Sequence, residues 1–318
     1  MDEKTEQLYM QAGIVHVLAI SGLHISIIGM SVYTLLKRLG GGLKGSACLS
    51  GFIVLSYGVM TGFGPSTERA VIMFLVRMGA VYLGCTYDFL SALSFSALIL
   101  FMSRPLSILQ TGVWFSFAAL LSIGVLWPAI EKCIPWQYAK TRNYKIEHLK
   151  KTMGVKTTIR EWIERMIRYI GPSAAVTIGT LPLTAFCYGA VPLVGFFMNL
   201  LVLPLMNLFV PMALGAGGVS LLSISMAGFC GGTLHFILQI NRFLCEKMLI
   251  LPFSVWRTGV PPSAWLLIDY GLMIGFALLA LPEHKWFKHT DVGKILIKKS
   301  WLLMLAGLFI LIPIRKMH

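Results

Sequence analysis

GIVHVLAISGLHISIIGMSVYTLL, residues 13–36, carries no Asp, Glu, Lys or Arg. As an α-helix at about 1.5 Å per residue, the stretch is about 36 Å long, enough to cross a hydrocarbon core about 30 Å thick. Its apolar residues do not alternate with period two, so a strand is excluded. Runs of the same kind recur at about 44–61, 67–84, 88–103, 108–130, 169–188, 192–222, 231–251, 263–281 and 299–314, the run at 192–222 being interrupted by prolines. The predicted fold is therefore all-α: a polytopic transmembrane helical bundle of about 9–10 spans, forming one membrane-embedded domain over residues 1–318.

Composition points the same way. The chain is 57% hydrophobic and 13% charged, with a mean hydropathy of +0.78. Soluble domains carry roughly a quarter charged residues, and a water-surrounded core could not hide this much apolar surface. The net charge of +14 is weak evidence for nucleic acid, because Lys and Arg crowd the cytoplasmic loops of membrane proteins. Three polar stretches, 37–44, 131–168 and 283–299, hold eighteen of the 27 Lys and Arg. The predicted spans place all three on one side, which should be the cytoplasm. The acidic start MDEKTEQLYMQ then lies outside and lacks the basic region of a signal peptide. Within 131–168, Trp162, Ile163, Met166, Ile167 and Ile170 recur at helical spacing, beside the i,i+4 pairs Glu161–Arg165 and Glu164–Arg168. An amphipathic helix on the cytoplasmic surface is expected there, or a helix that docks a soluble partner.

No phosphate-binding glycine loop is present, the six cysteines are scattered without a CxxC pair, and no metal-ligand spacing occurs. The expectation is a channel or transporter with no cofactor and no metal, rather than an enzyme, driven by a partner or a gradient. Four places could serve transport. On span 13–36, His16, Ser21, Gly22 and His24 belong to a polar arc, either a channel wall or interhelical hydrogen-bond glue. A Ser–His hydrolase built from Ser21 and His24 lacks an acid to orient the histidine and a readable oxyanion hole. In TGFGPSTERA, residues 61–70, Gly62 sits in a tight turn, Ser66 or Thr67 can cap the next helix, and Arg69 lies just inside it. Arg77, near mid-span, reads as a buried charge: a phosphate contact in a pore, a partner of an acid such as Asp269, or a snorkelling side chain. Asn199 and Asn207 flank Pro204 in a span that the prolines should break, as in a cavity-lining helix of a channel or solute transporter. Finally His235, Gln239, Arg242 and Glu246 fall within about 60° of one another on a helix, as a polar edge turned into a bundle or a narrow interfacial face. Arg242 and Glu246 can pair with each other.

GIVHVLAISGLHISIIGM, residues 13–30, resembles the signature opening of the competence domain of ComEC-type DNA-internalisation proteins. YGVMTGFGPSTERAVIM (57–73), MSRPLSILQTGVWFSFAAL (102–120) and TLPLTAFCYGAVPLVGFFMNLLVLPLMNL (180–208) resemble the family's next three blocks, in order. The resemblance covers about 10–280 and implies passage of single-stranded DNA across the bacterial cytoplasmic membrane during natural transformation. It implies as partners a DNA-receptor protein and a cytoplasmic ATPase motor, in a bilayer and with an oligomer possible. It carries over His16, Ser21, Gly22, His24, Gly62, Arg69 and Asn199 as motif positions, whereas Arg77 and the stripe at 235–246 rest on physical reading alone. Larger relatives add an OB-like soluble domain before this block and often a nuclease domain with a His-x-His-x-Asp-His cluster after it. Neither is in this sequence, so the expectation is a fragment, a split gene product, a shortened paralogue, or a non-functional remnant of a larger uptake protein.

Overall fold

The computed structural model describes residues 22–133, 154–220, 224–250 and 255–280. His16, Ser21, residues 134–153 of the polar segment, the loop 283–299 and the span expected at 299–314 lie outside them. The chain divides into two compact units, residues 1–116 with 192–255, and residues 117–191 with 256–318.

The first unit opens with α1 (Gly22–Arg38), α2 (Leu43–Met60), α3 (Pro65–Leu83) and α4 (Phe89–Ser103). A 3-10 turn, Pro105–Leu109, leads from α4 to α5 (Thr111–Leu121). Ile25, Ala47, Val54, Ala70, Val71, Phe74 and Met78 form a common core among α1, α2 and α3. Small residues let these helices close up. A Cβ on Gly29 would overlap the Phe74 ring and come 2.7 Å from Val54, and one on Gly58 would sit 2.7 Å from the Phe63 ring. Ser50 is buried without cost because its hydroxyl donates to the Ala47 carbonyl at 3.1 Å, with Met78 Sδ at 3.3 Å. Helix ends follow local chemistry. Asp88 caps α4 by accepting from the Ser91 N–H at 2.8 Å, and Gly84 ends α3 in the left-handed region at φ 73°. Neither Ser66 nor Thr67 caps α3, contrary to expectation. The helix starts earlier, after Gly64, with Pro65 in its first turn, where a missing N–H costs nothing.

Later in this unit, α8 (Val194–Ser220) packs along α9 (Ile224–Leu249) through Val194, Met198, Val202, Met206 and Cys245. The break expected in α8 does not occur. The helix runs through Pro204 and Pro211, because a partner helix can support the segment around each lost hydrogen bond.

In the second unit, α5 passes through a π-helical turn, Ser122–Leu126, into α6 (Trp127–Cys133). Against it lies α7 (Gly154–Tyr188), followed by the strand β1 (Ala190–Pro192), the strand β2 (Val255–Arg257) and α10 (Ser263–Ala280). The two strands pair. Gly189, at φ 61°, turns the chain out of α7, and its carbonyl accepts from Thr258 N at 3.1 Å and Gly259 N at 3.0 Å. Along α7, Gly171 meets the Trp127 ring and Gly179 meets Ser122, positions where any Cβ would overlap its neighbour. The amphipathic helix expected at 162–170 is not a separate surface helix. It is the early part of the 35-residue α7, with Trp162, Arg165 and Arg168 exposed.

Four helical stretches among the described residues are long and apolar enough to cross a membrane: Leu43–Met60, Thr111–Lys132, Arg165–Tyr188 and Val194–Gly218. Their surroundings agree. Large apolar side chains such as Phe52, Val59, Leu98 and Leu267 face outward, far more than a water-soluble surface carries. The protein is an all-α membrane protein.

Candidate functional site

Two of the blocks quoted above meet in the first unit. Arg69, on the opening turns of α3, is only 4% exposed. Its guanidinium lies against Gly22, where a Cβ would come 3.0 Å from Arg69 Nη2 and 3.3 Å from Ala70 Cβ. Glycine at 22 is thus what admits the arginine. His24, two residues on, is half-buried.

The turn before α3 is built from left-handed backbone. Gly62 has φ 73° and Phe63 φ 45°, the latter unfavourable for any residue with a Cβ. The strain is offset by three anchors. Phe63 N donates to the Gly58 carbonyl at 3.1 Å. The Phe63 ring packs into the core of α1–α3. Arg104 Nη1, from the third sequence block, donates to the Phe63 carbonyl at 2.9 Å. Arg104 Nε also lies 3.7 Å from Glu68 Oε2, and the Ser103 hydroxyl donates to Glu68 Oε1 at 3.1 Å. Ser66 Oγ reaches the Gly112 carbonyl at 3.5 Å.

Arg104, Ser103 and Glu68 therefore fasten the second block to the third at the turn beside Arg69. None of the three stood out in the sequence as a site residue. The cluster Glu68–Arg69–Arg104 carries one net positive charge, with one guanidinium in a water-poor setting where a phosphate contact is strong.

The other candidates fall elsewhere. Arg77 is not buried: it is exposed, and its guanidinium stacks over the Tyr87 ring at 6.0 Å. It starts only two turns from the end of α3, within reach of the loop beyond. Lys44 over Tyr82 at 5.4 Å and Lys37 over Tyr33 at 5.9 Å make similar pairs at the same end of the unit. Asn199 is half-buried on α8, its Oδ1 enclosed with no hydrogen-bond partner among the described residues. The stripe His235, Gln239, Arg242 and Glu246 does not turn into the bundle. All four are exposed, and Arg242 Nε pairs with Glu246 Oε1 at 2.9 Å. The opposite side of α9, with Ile237, Asn241 and Cys245, is the buried one. Among the described residues no group of three His, Cys, Asp or Glu could hold a metal.

Comparison with known proteins bears on this arrangement. A family model described as "Competence protein" matches residues 1–283. ComE operon protein 3 of Bacillus subtilis (strain 168) is 24% identical over 311 residues, which cover 96% of this chain and 36% of that protein. The chain thus spans about a third of that relative's length. No solved structure matches.

Proposed function

Because the chain belongs to the Competence protein family, we propose that it is the membrane-embedded part of a DNA-uptake system in the cytoplasmic membrane, passing single-stranded DNA during natural transformation. The observation that carries the reading is the meeting of Gly22 with Arg69 beside a turn that Arg104 locks. Residues from the first two blocks assemble one guanidinium in a sheltered place, and the third block fixes the loop that presents it. Such a group takes a phosphate by charge-assisted hydrogen bonds and reads no base. It suits a chain that must pass any sequence. A DNA receptor outside and a motor inside are the partners this reading calls for.

The test is transformation frequency in a strain that relies on this protein. Arg69→Ala should lower it at least about tenfold, roughly the 1.4 kcal/mol of one charge-assisted hydrogen bond, with normal protein in the membrane. Arg69→Lys, which keeps the charge but loses the planar fork, should fall between. Unchanged frequency in Arg69→Ala would overturn the assignment. The solute-transporter reading loses its motive, because α8, expected to be broken, is continuous.

A further inference from the structure

Asp269 is the most deeply enclosed acid among the described residues. It lies on α10, in the second unit, and is 1% exposed. Neither of its carboxylate oxygens has a hydrogen-bond partner among the described residues. The neighbouring Tyr270 does not serve it, because that hydroxyl donates to the Gly179 carbonyl on α7 at 3.1 Å. The same helix closes its other end with Phe276 and Ala277 against Leu126 and Ala129.

The elements packed on α10 are α7, α6 and the π-helical turn between α5 and α6. The described titratable and charged side chains on them are Arg165, Arg168, Tyr169, Cys187 and Tyr188 on α7, and Glu131 and Lys132 on α6. None of these hydrogen-bonds to Asp269 or forms an ion pair with it among the described residues. An ionised carboxylate enclosed without a counter-charge costs several kcal/mol, about as much as a typical protein's whole margin of stability. No described residue supplies that counter-charge, and a proton is small enough to enter a closed helical unit.

We propose that Asp269 is a proton-binding site, held as a neutral acid while the second unit is closed around it and released when water reaches it. Intramembrane acids that lack partners mark ion and proton pathways. A proton site gives the chain a means of drawing on a gradient. The loading site itself follows from the packing of α10 and does not depend on the DNA reading. Its use in uptake does.

The experiment is carbodiimide labelling of the full chain in its membrane. Dicyclohexylcarbodiimide reacts with a protonated carboxyl. The acid proton moves to a carbodiimide nitrogen, the carboxylate oxygen bonds to the central carbon, and the O-acylisourea rearranges to a stable N-acylurea. Mass spectrometry should find this adduct on Asp269, and not in Asp269→Asn. Labelling should fall steeply as the pH is raised from about 6 to about 9, since occupancy above the midpoint drops about tenfold per pH unit. Excess sodium should give no protection. An adduct missing at every pH, or undiminished at high pH, or blocked by sodium, would overturn the proton site. Asp269→Glu, which keeps the acid, should still be labelled, so a folding defect in one variant does not decide the matter. In transformation assays Asp269→Asn should lose uptake and Asp269→Glu should retain a substantial part of it. Normal uptake in Asp269→Asn, despite labelling of the native protein, would sink the coupling role alone. Failure of the Arg69 test with labelling intact would sink the DNA reading alone.

Discussion

At the scale of single residues, the candidate site depends on one glycine and one ion pair. Gly22 faces Arg69 so closely that an added Cβ would crowd Arg69 Nη2 at 3.0 Å and Ala70 Cβ at 3.3 Å, and a branched side chain would push the guanidinium aside. Gly22→Val should lower transformation as much as loss of the arginine does, while Gly42→Val, where a Cβ meets nothing within 4 Å, should leave it unchanged. Comparing the two strains checks that close approach, rather than glycine content, is what matters. Under the proposed function, Glu68 and Arg104 act through the turn rather than on a phosphate directly. If Arg104 only locks Phe63 in its left-handed conformation, then Arg104→Ala should lower uptake and also expose the 61–64 turn to protease. Glu68→Gln keeps the Ser103 hydrogen bond and loses only the half-exposed ion pair, which is worth less than about 1 kcal/mol, so it should change uptake by less than about fivefold. A larger loss in Glu68→Gln than in Arg104→Ala would show that the acid, not the turn, is the functional group. Arg69 and Gly22 were legible in the sequence because they fall in recognisable blocks. Arg104 was not, because periodicity says which face of a helix a residue occupies and nothing about which distant loop it will reach.

At the scale of the elements, the sequence predicted boundaries closely where breakers are strong. The runs expected at 44–61 and 88–103 are helices Leu43–Met60 and Phe89–Ser103, bounded by glycines before the first and by Asp88 and Pro105 around the second. It left the polar stripe of α9 open between an inward edge and an interfacial face, for a physical reason. In water the buried face of a helix is the apolar one, but in lipid the outward face is apolar too, so a polar arc does not reveal its direction. Prolines misled in the same way, since a bilayer helix packed on a neighbour keeps its path through them. Packing of α1 on α3 gives a sharper expectation. Gly29→Val pushes two methyl groups into Phe74 and Val54 and should destabilise the first unit by about 1–3 kcal/mol, the usual cost of overpacking, seen as a lower melting temperature in detergent. At the loop before α4, the hydrogen bonds that Ser91 gives to Asp88, from its side chain first and its backbone second, hold that carboxyl below its usual value. A depressed acid stabilises the fold above the carboxylate range and loses that contribution as the pH falls through its folded value. Melting temperature should therefore drop on acidification more in the native protein than in Asp88→Asn, and parallel curves would exclude the cap as the cause.

At the scale of the molecule, the fold class and the family were both legible. Composition alone demanded lipid, and the four blocks that resemble the competence domain lie within the range of the family match. The partition into two units was not legible, because contacts between distant helices leave no mark in a pattern of local periodicity. The arrangement of the first unit does fix which loops share an end. Lys44 stacks on Tyr82, which brings the 39–42 loop and the 84–88 loop together. Arg104 binds the Phe63 carbonyl, which joins the 61–64 turn to the 104–110 segment at the start of α3. If α2 crosses the membrane, the basic residues Lys37, Arg38 and Lys44 place the first pair of loops in the cytoplasm, and the candidate site lies toward the outside, the side from which DNA comes under the proposed function. A membrane-impermeant maleimide tests this on the exposed native Cys85 and on Gly42→Cys and Thr61→Cys in a background where the remaining cysteines are serine. Inverted vesicles should label positions 42 and 85 together, and intact cells position 61 alone. Labelling of 42 and 85 from opposite sides would break the first unit as described. Labelling of all three positions with sides exchanged would keep the fold and turn the candidate site toward the cytoplasm, where it would release DNA rather than receive it.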